Sequence, residues 1–245
     1  MNKYINLFLI LIFSIYNHQL SAKYNTNPLK ISIIIPCDYK HAYLLDSLLK
    51  TYEAQTKLPD EIIISLSQVN QVPNSIIKKL QNEQWAFPVK LLLYENQQSA
   101  GQNRNNACNK AIGDIFICQD ADDIPHPQRV EIINYLFETY NIDHLIHSYC
   151  FSHELDFFKA FDPQKITPTW PKNFDYMRKS FKKFHNGNIA ISRNVFKKIQ
   201  WSNKVKGQDV EFNRMIYDCD TFNLCITEAE LIIYRNELSS WIKTS

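Results

Sequence analysis

Glycine is scarce in this chain. Four occur in 245 residues, where ordinary composition at roughly 7% would give about 17, so each of the four merits individual reading. Excess charge of one sign is missing as well: 27 Lys and Arg against 25 Asp and Glu leave a net +2. That balance excludes a broad basic surface for nucleic acid and a charge-driven disordered chain. No C-x-x-C pair occurs among Cys37, Cys108, Cys118, Cys150, Cys219 and Cys225, so a zinc ribbon or a thioredoxin-type redox site is unsupported. Internal repeats, low-complexity tracts and long linkers are absent too.

A hydrophobic run of membrane-spanning length is also missing. The N-terminal apolar run, Ile5 to Tyr16, holds twelve residues against the roughly 20 of a spanning helix. Lys3 precedes it, and a polar stretch closing on Leu20-Ser21-Ala22 follows. This is the layout of a signal peptide over residues 1–22, with cleavage expected near Ala22 and an uncleaved short membrane anchor as the alternative. The implied location is the lumen of the secretory pathway or the exterior, or a membrane surface if the anchor stays. Such a route permits disulfides. Cys219 and Cys225 are the only pair close in sequence, the pairing stays open, and Cys118, inside an apolar strand pattern, is expected to be a buried free thiol.

What is present suffices for one core. With 45% hydrophobic residues the chain supports a single domain, expected over residues 30–235. From Lys30 short apolar runs alternate with amphipathic stretches. Strands are predicted at 31–35, 61–64, 89–94 and 114–118, and helices at 43–55, 74–84 and 102–111. Near-continuous apolar strands separated by helices indicate a mostly parallel sheet covered on both faces. Helices at 127–140 and 209–217 and a short strand at 188–192 complete a less regular second half. Open sheets of this class bind ligands beyond the carboxyl ends of their strands. The positions to search are therefore 36–39, 65–67, 95–101 and 119–123.

The strongest signal is Asp120-Ala121-Asp122-Asp123, directly after the fourth strand. Three carboxylates within four residues repel one another unless a cation or a set of donors neutralises them. Carboxylate oxygens with room for water and phosphate suit Mg²⁺ or Mn²⁺. The alternative is a solvated acidic turn that caps the following helix. The glycines sit beside polar clusters: Gly101 before Gln102-Asn103-Arg104-Asn105, Gly187 within His185-Asn186-Gly187-Asn188, and Gly207 before Gln208-Asp209. Gly113 precedes the aspartate-bearing strand and is open to an ordinary turn reading.

Taken together, these residues resemble the inverting glycosyltransferases of family 2, with the nucleotide-diphospho-sugar transferase (GT-A) fold. The resemblance runs from about Lys30 to Asp218. It rests on a first strand ending in Ile35-Pro36, on Gln55 and Pro59-Asp60-Glu61, on Gly101 with Arg104-Asn105, on the aspartate block as a D-x-D motif, and on Gln208-Asp209. The resemblance implies that Asp120 faces the donor's ribose or nucleotide, that Asp122 and Asp123 hold Mn²⁺ or Mg²⁺, and that Asp209 is the general base. Pro36, Asp38, Ser65 and Arg104 are the further candidate contacts to a nucleotide-diphospho-sugar donor, with Arg104 either at the diphosphate or paired with an aspartate. Asn186 and Gly187 fall where such enzymes hold the donor sugar or the hydroxyl acceptor, whether glycan, protein or lipid. The expected reaction is metal-dependent transfer of a sugar to that hydroxyl with inversion.

Two positions depart from the family pattern. Ser65-Leu66-Ser67 stands where an aspartate for the nucleotide base is common, and Gln208 replaces a glutamate beside the base. Two other readings remain: a sugar-nucleotide nucleotidyltransferase, although Pro36 to His41 contains no glycine for a phosphate loop, and a catalytically silent sugar- or protein-binding domain. His144, His147 and His153 lack a full zinc ligand set and are expected to be structural. His185 is the better candidate for substrate contact, and Trp170 to His185 is expected to be an acceptor-side loop.

Overall fold

A computed structural model describes residues 28–151, 158–175, 177 and 183–235. The N-terminal apolar run, His153 and part of the 170–185 segment lie outside these. Among the described residues no helix is long and apolar enough to cross a membrane.

The first half follows the predicted alternation. Strand β1 is Ile31–Asp38, helix α1 Leu45–Glu53, β2 Glu61–Ser67, α2 Asn74–Asn82, β3 Val89–Tyr94, α3 Ala100–Lys110 and β4 Ile115–Cys118. A short β5 at Ile124–Pro125, α4 at Arg129–Tyr140, β6 at His144–Phe151, β7 at Phe184–Ser192, α5 at Arg193–Lys198, α6 at Gln208–Tyr217 and β8 at Leu224–Tyr234 follow. The eight strands form one sheet in the order β3-β2-β1-β4-β7-β6-β8-β5. β1 to β4 are mutually parallel, and β7 enters antiparallel to β4. The chain steps from β1 outward to β3 and then returns to β1's other side as β4, so the topological switch point lies between β1 and β4. Crevices open at such points.

Both faces of β1 are covered, which explains its unbroken apolar run. Ile31, Ile33 and Ile35 pack into one cluster with Leu45, Leu48, Leu49 and Tyr52 of α1, while Ile34 packs into another with Ala107 and Cys108 of α3 and Phe212 of α6. The α1 residues recur at the i, i+3, i+4, i+7 spacing of one helical face. Ser99 caps α3 by accepting from the Gln102 N–H, and the Gln102 side chain accepts from the Ser99 N–H in return. This reciprocal cap sets where α3 begins, which is on the rim of the crevice.

The structure corrects the sequence reading at several places. β2 extends to Ser67, so Ser65 and Ser67 lie within the strand and are buried. β7 begins at Phe184 rather than Asn188, so Asn186 and Gly187 belong to a strand. β6 and β8 are long strands in a half of the chain where the sequence predicts only the short strand at 188–192. No disulfide joins the six cysteines, and five of them, Cys118 included, are buried.

Candidate active site

The carboxyl ends of β1 and β4, the start of α3 and the start of α6 enclose a cleft of roughly 270 Å³. Pro36, Asp38, Arg104, Asp120, Asp122 and Asp209 all line it. Six of the sequence-predicted residues, drawn from four separate segments, are thus brought together. Asp38 is also the cap of the 3-10 turn Tyr39–Leu44, accepting from the Lys40 N–H at 3.0 Å.

Arg104 is the centre of the arrangement. Its side chain is 2% exposed, and its guanidinium donates through Nη1 to Asp209 Oδ1 at 2.7 Å and through Nη2 to Asp120 Oδ1 at 2.8 Å. One buried cation thereby ties the candidate base to the first aspartate of the block. Forked donation to two carboxylates is a geometry that arginine supplies and lysine does not. Asp209 Oδ1 also accepts from Trp201 Nε1 at 3.1 Å. The Trp201 ring stacks on Phe212 at 3.8 Å between centroids, which fixes the indole N–H in place.

The aspartate block gathers buried carboxylates close to one another. Burial, then the neighbouring Asp120 charge, raises the Asp122 carboxyl above its ordinary range. Burial and the charges of Asp120 and Asp122 raise Asp123 further. Asp123 Oδ2 is buried with no hydrogen-bond partner, while Oδ1 accepts from the Arg235 backbone N–H at 3.1 Å. Among the described residues no group of three or more His, Cys, Asp or Glu side chains forms a closed metal cage. A partial carboxylate set completed by phosphate and water fits Mg²⁺ or Mn²⁺, ions usually held by one or two carboxylates. Of the two candidate metal ligands, Asp122 lines the cleft, whereas Asp123 is buried and does not.

Ser65 is the clear correction. Its hydroxyl donates to Asn103 Oδ1 at 2.8 Å in a fully buried setting, so it orients Asn103, which does line the cleft, and cannot itself meet a nucleotide. Asn186 offers its carbonyl and Oδ1 to Asn213 Nδ2, and Gly187 sits against Arg104, where an added Cβ would come 3.3 Å from Nη2. Both flank the cleft without lining it. His144 and His147 are buried in β6, and burial lowers both from the ordinary histidine range, as structural neutral imidazoles require. The sequence reading missed His41, Gln98, Asn103 and Trp201. Gln98 lies within the searched segment 95–101, and His41 and Asn103 lie two residues beyond searched segments, but Trp201 joins the site only through tertiary packing.

A mostly parallel sheet with an acidic block at its switch point and a facing carboxylate defines the GT-A class of nucleotide-diphospho-sugar transferase fold. Comparison with known proteins agrees. The profile described as Glycosyl transferase family 2 matches residues 32–200, and the chain belongs to that family. Asp209 lies just beyond the matched stretch. An uncharacterized glycosyltransferase of Methanocaldococcus jannaschii, MJ1057, is 26% identical over 193 residues, which are 76% of this chain and 63% of that protein. The chain therefore spans less than two thirds of that relative's length. Staphylococcus aureus TarS 1-349, solved in complex with UDP, superposes with a TM-score of 0.64 at 16% identity, covering 84% of this chain and 60% of that one. The mannosyltransferase PcManGT of Pyrobaculum calidifontis, solved with GDP-Man and Mn²⁺, gives a TM-score of 0.55 at 15% identity, covering 94% and 66%. At these identities the likeness is one of fold.

Proposed function

We propose that the chain is a metal-dependent, inverting glycosyltransferase that moves a sugar from a nucleotide-diphospho-sugar to a hydroxyl acceptor. The observation that carries this reading is the Arg104 bridge, which holds Asp209 and Asp120 on facing walls of one cleft. With Oδ1 of Asp209 engaged by Arg104 and Trp201, Oδ2 is the oxygen left to take a proton. Asp209 removes that proton from the acceptor hydroxyl as it attacks the anomeric carbon, and the single displacement inverts the centre. Asp122, with the buried Asp123, holds the divalent ion, Mn²⁺ or Mg²⁺, whose chemistry is to stabilise charge on the departing diphosphate. Asp120 and Asp38 serve the nucleotide, and the Arg104 charge keeps Asp120 oriented. The relatives solved with UDP and with GDP-Man support a nucleotide-sugar donor here. The short N-terminal apolar segment supports entry into the secretory pathway or tethering at a membrane.

The test is a hydrolysis screen across UDP- and GDP-linked sugars with and without Mn²⁺, repeated on Asp122→Asn. Metal-dependent release of nucleoside diphosphate, with the freed sugar inverted by NMR, is expected of the parent protein. In the folded variant the metal-dependent gain in nucleotide affinity should disappear. An unchanged gain would remove Asp122 from the metal site, and a retained anomeric configuration would remove the single displacement.

A further inference from the structure

Beneath the aspartate block lies a set of buried polar side chains that the proposed chemistry does not use. Arg129, the first residue of α4, is fully buried, and no described carboxylate pairs with it. Its donors go to neutral acceptors instead: Nε to His147 Nε2 at 3.2 Å, Nη1 to Tyr52 Oη at 3.1 Å and to Gln119 Oε1 at 2.9 Å, and Nη2 to the Cys118 carbonyl at 2.7 Å. The Tyr52 hydroxyl donates to the same Gln119 Oε1 at 2.9 Å. Gln119 Nε2 then donates to the carbonyls of Asp120 at 2.8 Å and Asp123 at 3.1 Å. His147 meets Arg129 with the Nε2 lone pair, so its proton is on Nδ1, which donates to the Ser148 carbonyl at 2.9 Å.

A primary amide has one accepting and one donating end. Two donors converge on the oxygen of Gln119 and two carbonyls on its nitrogen. Reversing the amide would set N–H against N–H at one end and oxygen against oxygen at the other. Arg129 and Tyr52 thus dictate which way Gln119 faces, and Gln119 in that orientation clips the two ends of the turn that carries the aspartates. Within that turn the other brace is the bond from the Asp123 N–H to the Asp120 carbonyl at 3.2 Å. Three carboxylates on one turn push it open, and a desolvated guanidinium without a counter-ion is retained only where its hydrogen bonds are well met.

We propose that Arg129, acting with Tyr52 through Gln119, is a positioning residue that holds the Asp120 to Asp123 turn in its cation-binding shape before any ligand arrives. This rests on the reading of Asp122 as the carboxylate that holds the divalent ion. Outer partners of metal ligands typically govern metal affinity by about 10 to 100-fold.

Gln119→Glu tests it. The carboxylate has the shape of the amide and accepts from Arg129 and Tyr52, which preserves the core, but it cannot donate to the two carbonyls. Two readouts are taken: affinity for UDP and GDP in EDTA and in Mn²⁺, and amide hydrogen exchange of residues 119–123 in metal-free protein. The variant should fold, keep its EDTA affinity within about threefold, lose roughly 10 to 100-fold of the Mn²⁺-dependent gain, and exchange faster in the turn. The added negative charge would by itself favour the cation, so a loss cannot come from charge alone. A folded variant with the parent's Mn²⁺ gain and the parent's exchange rates overturns the proposal. If the parent shows no Mn²⁺ gain with either nucleotide, the metal reading fails and exchange alone decides the bracing. Should Gln119→Glu not fold, Tyr52→Phe, which keeps the ring and removes one donor, is read by the same exchange experiment. Faster exchange in the turn supports the bracing and an unchanged rate overturns it.

Discussion

Replacing Asp209 by Asn separates the three roles that this residue can hold. The Asn Oδ1 can still accept from Arg104 Nη1 and Trp201 Nε1, so the geometry survives while the charge is lost. Stranding a buried charge costs about 3–5 kcal/mol, but Arg104 keeps Asp120 as an ionic partner at 2.8 Å. The expected loss is therefore the difference between a charged and a neutral hydrogen bond, about 1 kcal/mol. For a domain of this size that lowers Tm by roughly 2–4 °C. Nucleotide affinity should stay within about threefold, because a base aimed at the acceptor has no part in holding the donor. Turnover should fall by about 10² to 10⁴, the usual effect of removing a general base. The assays are thermal unfolding, calorimetric titration of UDP and GDP with Mn²⁺, and release of nucleoside diphosphate from the donor sugar. A metal ligand would weaken the titration as well, and a residue that only orders α6 would lower Tm and leave turnover alone. Turnover within a few-fold of the parent would refute the assignment of Asp209 as the base.

Two further expectations follow from buried groups and backbone strain. Burial lowers His144 to about 4, while the unfolded chain titrates near 6.5, so the unfolded state binds the extra proton between these values and stability falls as pH drops through that window. His144 alone should remove about 2 kcal/mol between pH 7 and pH 5, read by urea unfolding at both, and His144→Gln should reduce the difference by about that amount, leaving the share of the likewise buried His147; an equal pH slope in parent and variant would exclude His144 as a source. Gly207 caps α6 with φ at 76° and nothing within 4 Å of an added Cβ, so Gly207→Ala meets only backbone strain and should cost about 1 kcal/mol, seen as a lowered Tm. An unchanged Tm would mean that the α6 cap readily adopts another conformation.

The first half of the fold was legible because its signals are local. β1, β2 and β4 are buried along their length and rich in apolar residues, β3 is a short apolar run, and α1 and α2 carry a 3.6 period. The second half has neither property. β6 reads His-Leu-Ile-His-Ser-Tyr-Cys-Phe, with two buried histidines, His144 bonded through Nε2 to Asn213 and His147 to Arg129 and the Ser148 carbonyl, so a polar-looking stretch is interior strand. Its pairing with β7 is irregular between Ile146 and Ser148, which breaks the alternation that identifies a strand. β2 runs past its predicted end at residue 64 for a related reason. Serine suggests a turn, but Ser65 and Ser67 stay in the strand because Asn103 satisfies both hydroxyls, accepting from one and donating to the other.

The site was legible as a set of residue types, whereas its assembly depends on how closely α3 approaches the segment before α6. Asn105 pairs with the Trp201 backbone in both directions, Nδ2 to the carbonyl at 2.8 Å and Oδ1 from the N–H at 3.1 Å. That pair docks residue 201 against α3, and stacking on Phe212 carries α6 with it. The approach requires the absence of a side chain at Gly101, where a Cβ would lie 2.6 Å from the Ser202 carbonyl and 3.0 Å from Trp201 Cβ. Arg104 stands one helical turn further along, so the contact that Gly101 permits is what lets the guanidinium reach Asp209 across 105 positions of sequence. Glycine in a helix costs about 1 kcal/mol relative to alanine, and a chain with only four of them places one here. The glycine beside Arg104-Asn105 therefore serves the facing wall of the cleft, through close packing, rather than a phosphate through a flexible loop.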